Sequence, residues 1–123
     1  FEVRGGKPLS GIIHPQGAKN EALQILSAVL LTEEDITVSN VPDILDVNVL
    51  IELLSEMGVS VSKIKEDTYT FNAKNVDPDI LLTEKFKKRA GHLRGSVMIL
   101  GPLLARFNRA YLPTPDDDWI PIF

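Results

Sequence analysis

Cysteine is absent from this sequence of 123 residues. The chain therefore holds no disulfide bond, no thiolate metal site and no cysteine nucleophile, and its composition fits a reducing compartment. No apolar run approaches the roughly 20 residues that a membrane-spanning helix requires, and no signal-peptide pattern is visible. We expect a cytoplasmic protein that makes no contact with a membrane.

Positive charge is not in excess, because the sequence has 13 Lys and Arg residues and 17 Asp and Glu residues. Histidine is scarce, with two residues. The net charge of −4 argues against a general nucleic-acid binder. His14 and His92 lack the spacing of metal ligands, and we interpret both as structural. One basic cluster is interpreted as a solvated face. Its members are Lys85, Lys87, Lys88 and Arg89.

Helix and strand patterns alternate along the chain, which predicts one domain of the α/β (α+β) class. Helical spacing is found at 22–31, at 46–57 and at 96–107, and period-two or extended patterns predict the strands. We expect Asp46 to cap the second helix, Gly58 to end it, and Gly101-Pro102 to bend or restart the third. The predicted strands are 1–4, 9–14, 36–41, 59–64, 68–71 and 109–112, followed by a loop at 113–123.

The helices predicted at 22–31 and 96–107 are apolar on almost every side. Helices of this kind are normally covered by protein on most faces. A chain of 123 residues offers too little sheet to cover them. We therefore expect additional protein around this unit, either further chain or a second copy.

The joint Gln16-Gly17-Ala18-Lys19-Asn20 leads an extended segment into the first helix. A helix start offers free N–H groups and partial positive charge, and Lys19 adds a full charge, so the joint suits a phosphate or carboxylate. A plain glycine turn with a solvated lysine is the alternative. Arg94 precedes the third predicted helix and would be a second anion ligand if the two helix starts faced one cleft; otherwise it is a surface charge.

Several stretches, taken in order, resemble the UDP-N-acetylglucosamine enolpyruvyl transferase family. They are Gln16–Leu23, Val38–Pro42 with Asp46-Val47, Leu53–Gly58, Leu93–Val97 and Leu100–Phe107. The most specific pair is Gly-Ala-Lys-Asn with Leu-Gly-Pro-Leu-x-Ala-Arg-Phe. The sister family of the shikimate pathway, the 3-phosphoshikimate 1-carboxyvinyltransferases, has a Ser-Lys pair at the first motif and is the weaker match.

The resemblance implies transfer of the enolpyruvyl group of phosphoenolpyruvate to the 3′-hydroxyl of UDP-N-acetylglucosamine. This reaction opens peptidoglycan precursor synthesis, passes through a tetrahedral intermediate and uses no metal or organic cofactor. By position, Lys19 and Asn20 match the pair that contacts both substrates, and Arg94 matches an arginine of the substrate site. A non-catalytic α/β module that binds an anion or a partner at Lys19 and Arg94 remains the alternative.

The resemblance also implies a fold of two domains, each built from three βαβαββ repeats around buried helices, an inside-out α/β barrel. Residues 1–16 would be an N-terminal hairpin that packs with the other domain, and 17–123 the first repeat with its following loop. The chain would then hold an incomplete barrel. Without the rest of the enzyme we expect it to be inactive.

The loop after Pro113 departs from the family, which has glycines and a cysteine general acid there. We interpret the run Asp116-Asp117-Asp118 as a solvated turn, with a metal-binding acidic loop as the alternative. Asp118 falls about where the cysteine belongs, and a carboxyl group can still donate a proton. The resemblance therefore implies Asp118 as the general acid and insensitivity to fosfomycin.

Overall fold

The computed structural model describes residues 1–84, 86, 94–113 and 119–123. Its helices are α1 (Lys19–Ala28), α2 (Leu45–Glu56) and α3 (Leu100–Phe107). Its strands are β1 (Asp35–Val38), β2 (Ser60–Lys65), β3 (Thr68–Asn72), β4 (Ala110–Pro113) and β5 (Trp119–Ile122). Short 3-10 turns occupy Val29–Leu31, Pro78–Leu82 and Arg94–Ile99. This mixture of helices and strands confirms the predicted α/β (α+β) class.

The main sheet has three antiparallel strands in the order β1-β3-β2. Ile36 and Val61 flank Phe71 in one row, and Phe71 is completely buried. On the opposite face, the hydroxyls of Thr37 and Thr70 lie 2.9 Å apart in a hydrogen bond. The alternation gives the sheet one apolar face, which packs on the helices. The predicted hairpin of β2 and β3 is confirmed.

The core lies between this sheet and the helices. α1 packs along α2, and α3 packs against the turn that ends α1. The completely buried large side chains of the core come from the helices, from the 3-10 turns and from β3. They are Leu26, Leu30, Leu50, Leu54, Met57, Phe71, Leu81, Ile99 and Leu103.

Arg106 joins three parts of this core. Its Nη1 donates to the carbonyl of Leu30 at 3.0 Å and to that of Ala73 at 2.7 Å. Its side chain is only 14% exposed. One guanidinium on α3 thereby satisfies two backbone acceptors, one at the end of α1 and one after β3.

Helix ends follow the glycine and proline signals. Gly58 has φ +103 and follows the last turn of α2, as predicted. The predicted third helix is divided into the 3-10 turn Arg94–Ile99 and α3. Pro102 therefore lies in the first turn of α3, where its missing N–H removes no helical hydrogen bond. The predicted restart at Gly101-Pro102 is confirmed.

The N-terminal segment differs from its prediction. Residues 1–18 contain no strand, so the strands predicted at 1–4 and 9–14, and the hairpin they would form, are wrong for this chain. A two-stranded hairpin is marginal unless its apolar face has a surface to pack on. Here the apolar side chains of the segment are exposed, including Val3 at 91% and Ile13 at 90%. That this segment packs with another domain stays a prediction.

The C-terminal segment also differs. Residues 113–123 were expected to be a loop, but β5 pairs antiparallel with β4, in a register that sets Ala110 opposite Ile122. Pro121 lies inside β5, which an edge strand tolerates because one row of its N–H groups has no partner strand. Abundant proline and aspartate hid this strand in the sequence.

Candidate functional site at the start of α1

The backbone of the joint is set by α1. Ala18 is the cap residue in an extended conformation, with φ −74 and ψ 130, and no side chain caps the helix. The first helical hydrogen bond runs from Ala22 N–H to Ala18 O at 3.0 Å. The N–H groups of the first turn therefore have no helical acceptor, and they carry the positive end of the helix dipole. An anion placed there would meet several donors.

Lys19 is the first residue of α1, and its Nζ contacts the Asp46 carboxylate Oδ2 in an ion pair. The two side chains are 50% and 41% exposed. Asp46 was predicted to cap α2, which is wrong. Ile44 occupies the cap position, and Asp46 lies in the first turn, where its carboxylate turns to Lys19. The pair brings the N-termini of α1 and α2 together.

Asn20 is exposed one residue later. Its side chain makes no hydrogen bond to the described part of the chain, so its amide is available to a ligand. Lys19 and Asn20 thus offer a cation and a neutral amide at one uncapped helix start. Such a set suits an anionic ligand that also carries hydroxyl or amide groups.

Arg94 begins the 3-10 turn Arg94–Ile99. The prediction that it directly precedes an α-helix is wrong, because α3 starts at Leu100. The turn packs against α1 and α2, the helices that meet at the ion pair. The fold therefore brings the element that carries Arg94 to the helices that carry Lys19 and Asp46. Convergence of Arg94 with Lys19 on one ligand stays a prediction.

A cleft of about 220 Å³ opens beside the joint. It is lined by the first turns of α1 and by the chain after β1, namely Gln16, Gly17, Ala18, Glu21, Ala22, Ile25 and 38–41. Glu21 is the one charged residue of that lining. An anion in this cleft would meet the Glu21 carboxylate, whereas at the first two positions of α1 it would meet Lys19 and Asn20. That these two residues bind an anion stays a prediction.

Other predicted residues lie elsewhere. Asp118, the cluster of Lys85, Lys87, Lys88 and Arg89, and His92 fall outside the described residues. His14 is exposed in the segment before α1. Within the described ranges, no group of three or more His, Asp or Glu side chains could hold a metal ion. In the same ranges no helix is long and apolar enough to cross a membrane.

Sequence reasoning missed the partners that hold the joint. Gln16 Oε1 accepts a hydrogen bond from the Asp43 N–H at 2.9 Å, and Gly17 lies against the carbonyl of Asn40. Asn40 has φ +57, which asparagine tolerates better than most residues. The Asn-Val-Pro sequence signals a turn, but no local pattern pairs it with a segment more than 20 residues away.

Comparison with known proteins agrees with this fold. A sequence profile of the family described as EPSP synthase (3-phosphoshikimate 1-carboxyvinyltransferase) matches residues 3–114. A Bacteroides thetaiotaomicron protein named UDP-N-acetylglucosamine 1-carboxyvinyltransferase is 58% identical over 120 residues, covering 98% of this chain and 28% of that protein. A protein of the same name from Porphyromonas gingivalis is 51% identical with the same coverage.

Among solved structures, the enolpyruvyl transferase NikO from Streptomyces tendae is similar, with a TM-score of 0.71 and 27% sequence identity. The similarity covers 91% of this chain and 25% of that one. The chain therefore spans only about a quarter of the length of its relatives, 28% for the two curated proteins.

Proposed function

The chain belongs to the EPSP synthase (3-phosphoshikimate 1-carboxyvinyltransferase) family, and we propose that the whole protein transfers the enolpyruvyl group of phosphoenolpyruvate to the 3′-hydroxyl of UDP-N-acetylglucosamine. Curated relatives at 58% and 51% identity carry the name of this activity. Because the chain spans 28% of their length, the activity is assigned to the protein with its remaining parts and not to these residues alone. We place the reaction in the bacterial cytoplasm, at the start of peptidoglycan precursor synthesis.

The observation that carries the proposal is the uncapped start of α1 with Lys19 and Asn20 at its first two positions. In the proposed reaction, the acceptor hydroxyl loses its proton as its oxygen adds to C2 of phosphoenolpyruvate, and C3 takes up a proton. The tetrahedral adduct then loses phosphate from C2 and a proton from C3, which leaves the enol ether. Negative charge grows on the departing phosphate, and a fixed cation with free backbone N–H groups stabilises it without reorganisation.

Each proposed residue has a distinct part. Lys19 binds the anionic groups of phosphoenolpyruvate, Asn20 hydrogen-bonds the sugar nucleotide, and Arg94 supplies a second, bidentate cation. Asp118 donates the proton to C3 as general acid. An aspartate is not alkylated as a cysteine is, so the enzyme would resist time-dependent inactivation by fosfomycin. We propose that neither a metal nor an organic cofactor takes part.

The Asp46 carboxylate limits how freely Lys19 acts. An exposed ion pair of this kind contributes at most about 1 kcal/mol to stability because water screens it. A substrate phosphate can therefore compete for Lys19 at small cost. Loss of Lys19 should also leave the fold intact, so a change of activity would report on substrate binding or chemistry.

Phosphate release by the full-length protein tests the proposal. With both substrates present, Lys19→Ala is expected to lower kcat/KM by roughly 100-fold, as removal of one stabilising donor does in other enzymes. Lys65→Ala is the matched control, because Lys65 is an exposed lysine on β2, and it should leave the rate unchanged. Absence of phosphate release by the unmodified protein would refute the assignment.

The sister reaction is the second candidate, because the matching profile carries the name of that enzyme. Its acceptor would be shikimate 3-phosphate in place of the sugar nucleotide. Ala18-Lys19-Asn20 stands where that family has Ser-Lys, which disfavours it. Phosphate release with shikimate 3-phosphate and none with UDP-N-acetylglucosamine would decide for the sister reaction. Binding of an anion with no turnover of either acceptor would decide for a non-catalytic module.

A further inference from the structure

The segment before Lys19 is attached to the loop that leads into α2. Gln16 Oε1 accepts from the Asp43 N–H at 2.9 Å, and the Asp43 Oδ1 accepts from Asn48 Nδ2 at 2.8 Å. Asn48 belongs to α2. The side chain of Gln16 thereby joins the entrance of α1 to the first turns of α2 through Asp43.

This loop is itself held by the sheet. The Val41 N–H donates to the carbonyl of Asp67 at 2.9 Å, in the turn between β2 and β3. Val41 and Pro42 are buried. The loop is therefore fixed to the sheet, and the Gln16 side chain that it binds is fixed with it.

Gly17 seats the entrance of α1 on this loop. It is the residue between Gln16 and the cap Ala18, and its backbone lies so close to the Asn40 carbonyl that a Cβ would be 2.0 Å from the oxygen. α1 itself is held in the core by its buried side chains. The Gln16 hydrogen bond adds a second contact to the same loop and fixes the backbone that leads into the uncapped first turn of α1.

We propose that Gln16, through its hydrogen bond to the Asp43 N–H, is a positioning residue that fixes where Lys19 and Asn20 meet the anionic substrate. Gln16 does not touch the substrate and acts through the backbone of residues 17–20. No sequence pattern indicates a positioning role for Gln16 or Asp43. The inference rests on the proposed function, since it needs a substrate at Lys19.

Gln16→Met keeps the length of the side chain and removes the acceptor, whereas Gln16→Glu keeps an acceptor oxygen for the Asp43 N–H. Steady-state phosphate release by the full-length protein is measured for both. Displacement of binding groups by a fraction of an ångström costs catalysis measurably, and we expect Gln16→Met to lower kcat/KM for phosphoenolpyruvate about fivefold, mostly through KM. At raised ionic strength, which screens the added carboxylate, Gln16→Glu should recover to within about twofold of the unmodified enzyme, whereas Gln16→Met should stay impaired.

Glu52→Met is the matched control, because Glu52 is an exposed side chain of α2, and it should leave kcat and KM unchanged. Thermal melts show whether the Gln16 variants fold, and Gln16→Met should melt within about 2 °C of the unmodified protein because one exposed hydrogen bond contributes little. Unchanged kinetics in Gln16→Met, or equal impairment in Gln16→Glu at raised ionic strength, would overturn the positioning role alone. An unmodified protein with no phosphate release would remove the proposed function and this inference with it.

Discussion

At the scale of single residues, the joint before α1 is shaped by a close backbone approach. A Cβ on Gly17 would lie 2.0 Å from the carbonyl oxygen of Asn40 and 3.3 Å from Pro42 Cδ. The neighbouring atoms belong to backbone and to a buried proline, which cannot move aside cheaply. Gly17 is therefore required by space at this position.

Gly17→Ala should destabilise the protein by about 1–3 kcal/mol, the usual cost of forcing an extra methyl group into a packed site. Gly101→Ala is the matched control, since a Cβ there meets nothing within 4 Å and lies inside α3. Alanine is the better helix former, so this control should be neutral or stabilising by up to about 1 kcal/mol. Urea unfolding measures both, and equal effects would contradict the packing explanation.

Tyr111 provides a residue whose contribution depends on pH. Its hydroxyl donates to Asp79 Oδ1 at 3.0 Å, and Arg109 Nη2 donates to Asp79 Oδ2 at 2.7 Å. Burial, followed by the hydrogen bond and charge of Asp79, raises the pKa of Tyr111 above its ordinary value of 10.0. The fold thus favours the neutral phenol, which links β4 to the turn at Pro78–Leu82.

A group whose pKa is raised by folding stabilises fully below its unfolded pKa and loses that contribution as pH rises through the folded value. Tyr111→Phe should therefore be less stable than the unmodified protein at pH 7, by about 1–2 kcal/mol for one hydrogen bond to a carboxylate. The difference should shrink above pH 10. Urea unfolding between pH 7 and 11 measures it, and a difference that grows with alkaline pH would contradict the assignment.

At the scale of elements, α3 is held by a polar contact as well as by its apolar side chains. Arg106 donates to the carbonyls of Leu30 and Ala73, and Nη2 lies 3.4 Å from the Glu33 carboxylate. The carboxylate is 66% exposed and adds little, because water screens it. The two carbonyl contacts of a mostly buried guanidinium carry the connection.

Arg106→Met keeps much of the aliphatic length but leaves both carbonyls without this donor. We expect a loss of about 2–4 kcal/mol in the free energy of unfolding, since each buried group left unpaired costs about 1–3 kcal/mol. Arg4→Met is the control, because the Arg4 side chain is 85% exposed and contacts Glu2 within the N-terminal segment. Chemical denaturation measures both, and a similarly small effect at the two sites would sink the explanation.

At the scale of the whole molecule, apolar surface remains open. Phe1, Leu9 and Ile12 are exposed, and so are Ile25 of α1 and Leu31 just after it. Exposed apolar side chains gathered on a segment and on one helix favour contact with further protein. That the almost uniformly apolar helix at 22–31 is covered by additional protein, either further chain or a second copy, stays a prediction.

The purified 123-residue chain should release no phosphate from phosphoenolpyruvate and UDP-N-acetylglucosamine, because it spans 28% of the length of its curated relatives and would supply only part of the substrate site. The full-length protein, assayed beside it, should release phosphate. A fluorescent probe of exposed apolar surface should also bind the short chain more strongly. Turnover by the short chain alone would contradict the expectation that the substrate site needs the rest of the protein.

Most helices and strands could be predicted because their signals are local. The period of apolar residues in α2, the glycine at its end and the β2–β3 hairpin all depend on neighbours within a few residues. The same local reading failed at residues 1–18 and in β5. A strand exists only where it has a partner, and the partner is not visible in its own sequence.

The sequence by itself determined the order of helices and strands, the end of α2 at Gly58, and the restart of the third predicted helix near Pro102. It also placed Lys19 and Asn20 at the start of a helix. Only the tertiary structure showed Asp46 turned to Lys19, Gln16 bound to Asp43, and the turn of Arg94–Ile99 against α1 and α2. These contacts join residues from 27 to about 75 positions apart. Long-range packing selects among side-chain partners that local chemistry leaves equivalent, so the joint before α1 acquires its surroundings only when the chain folds.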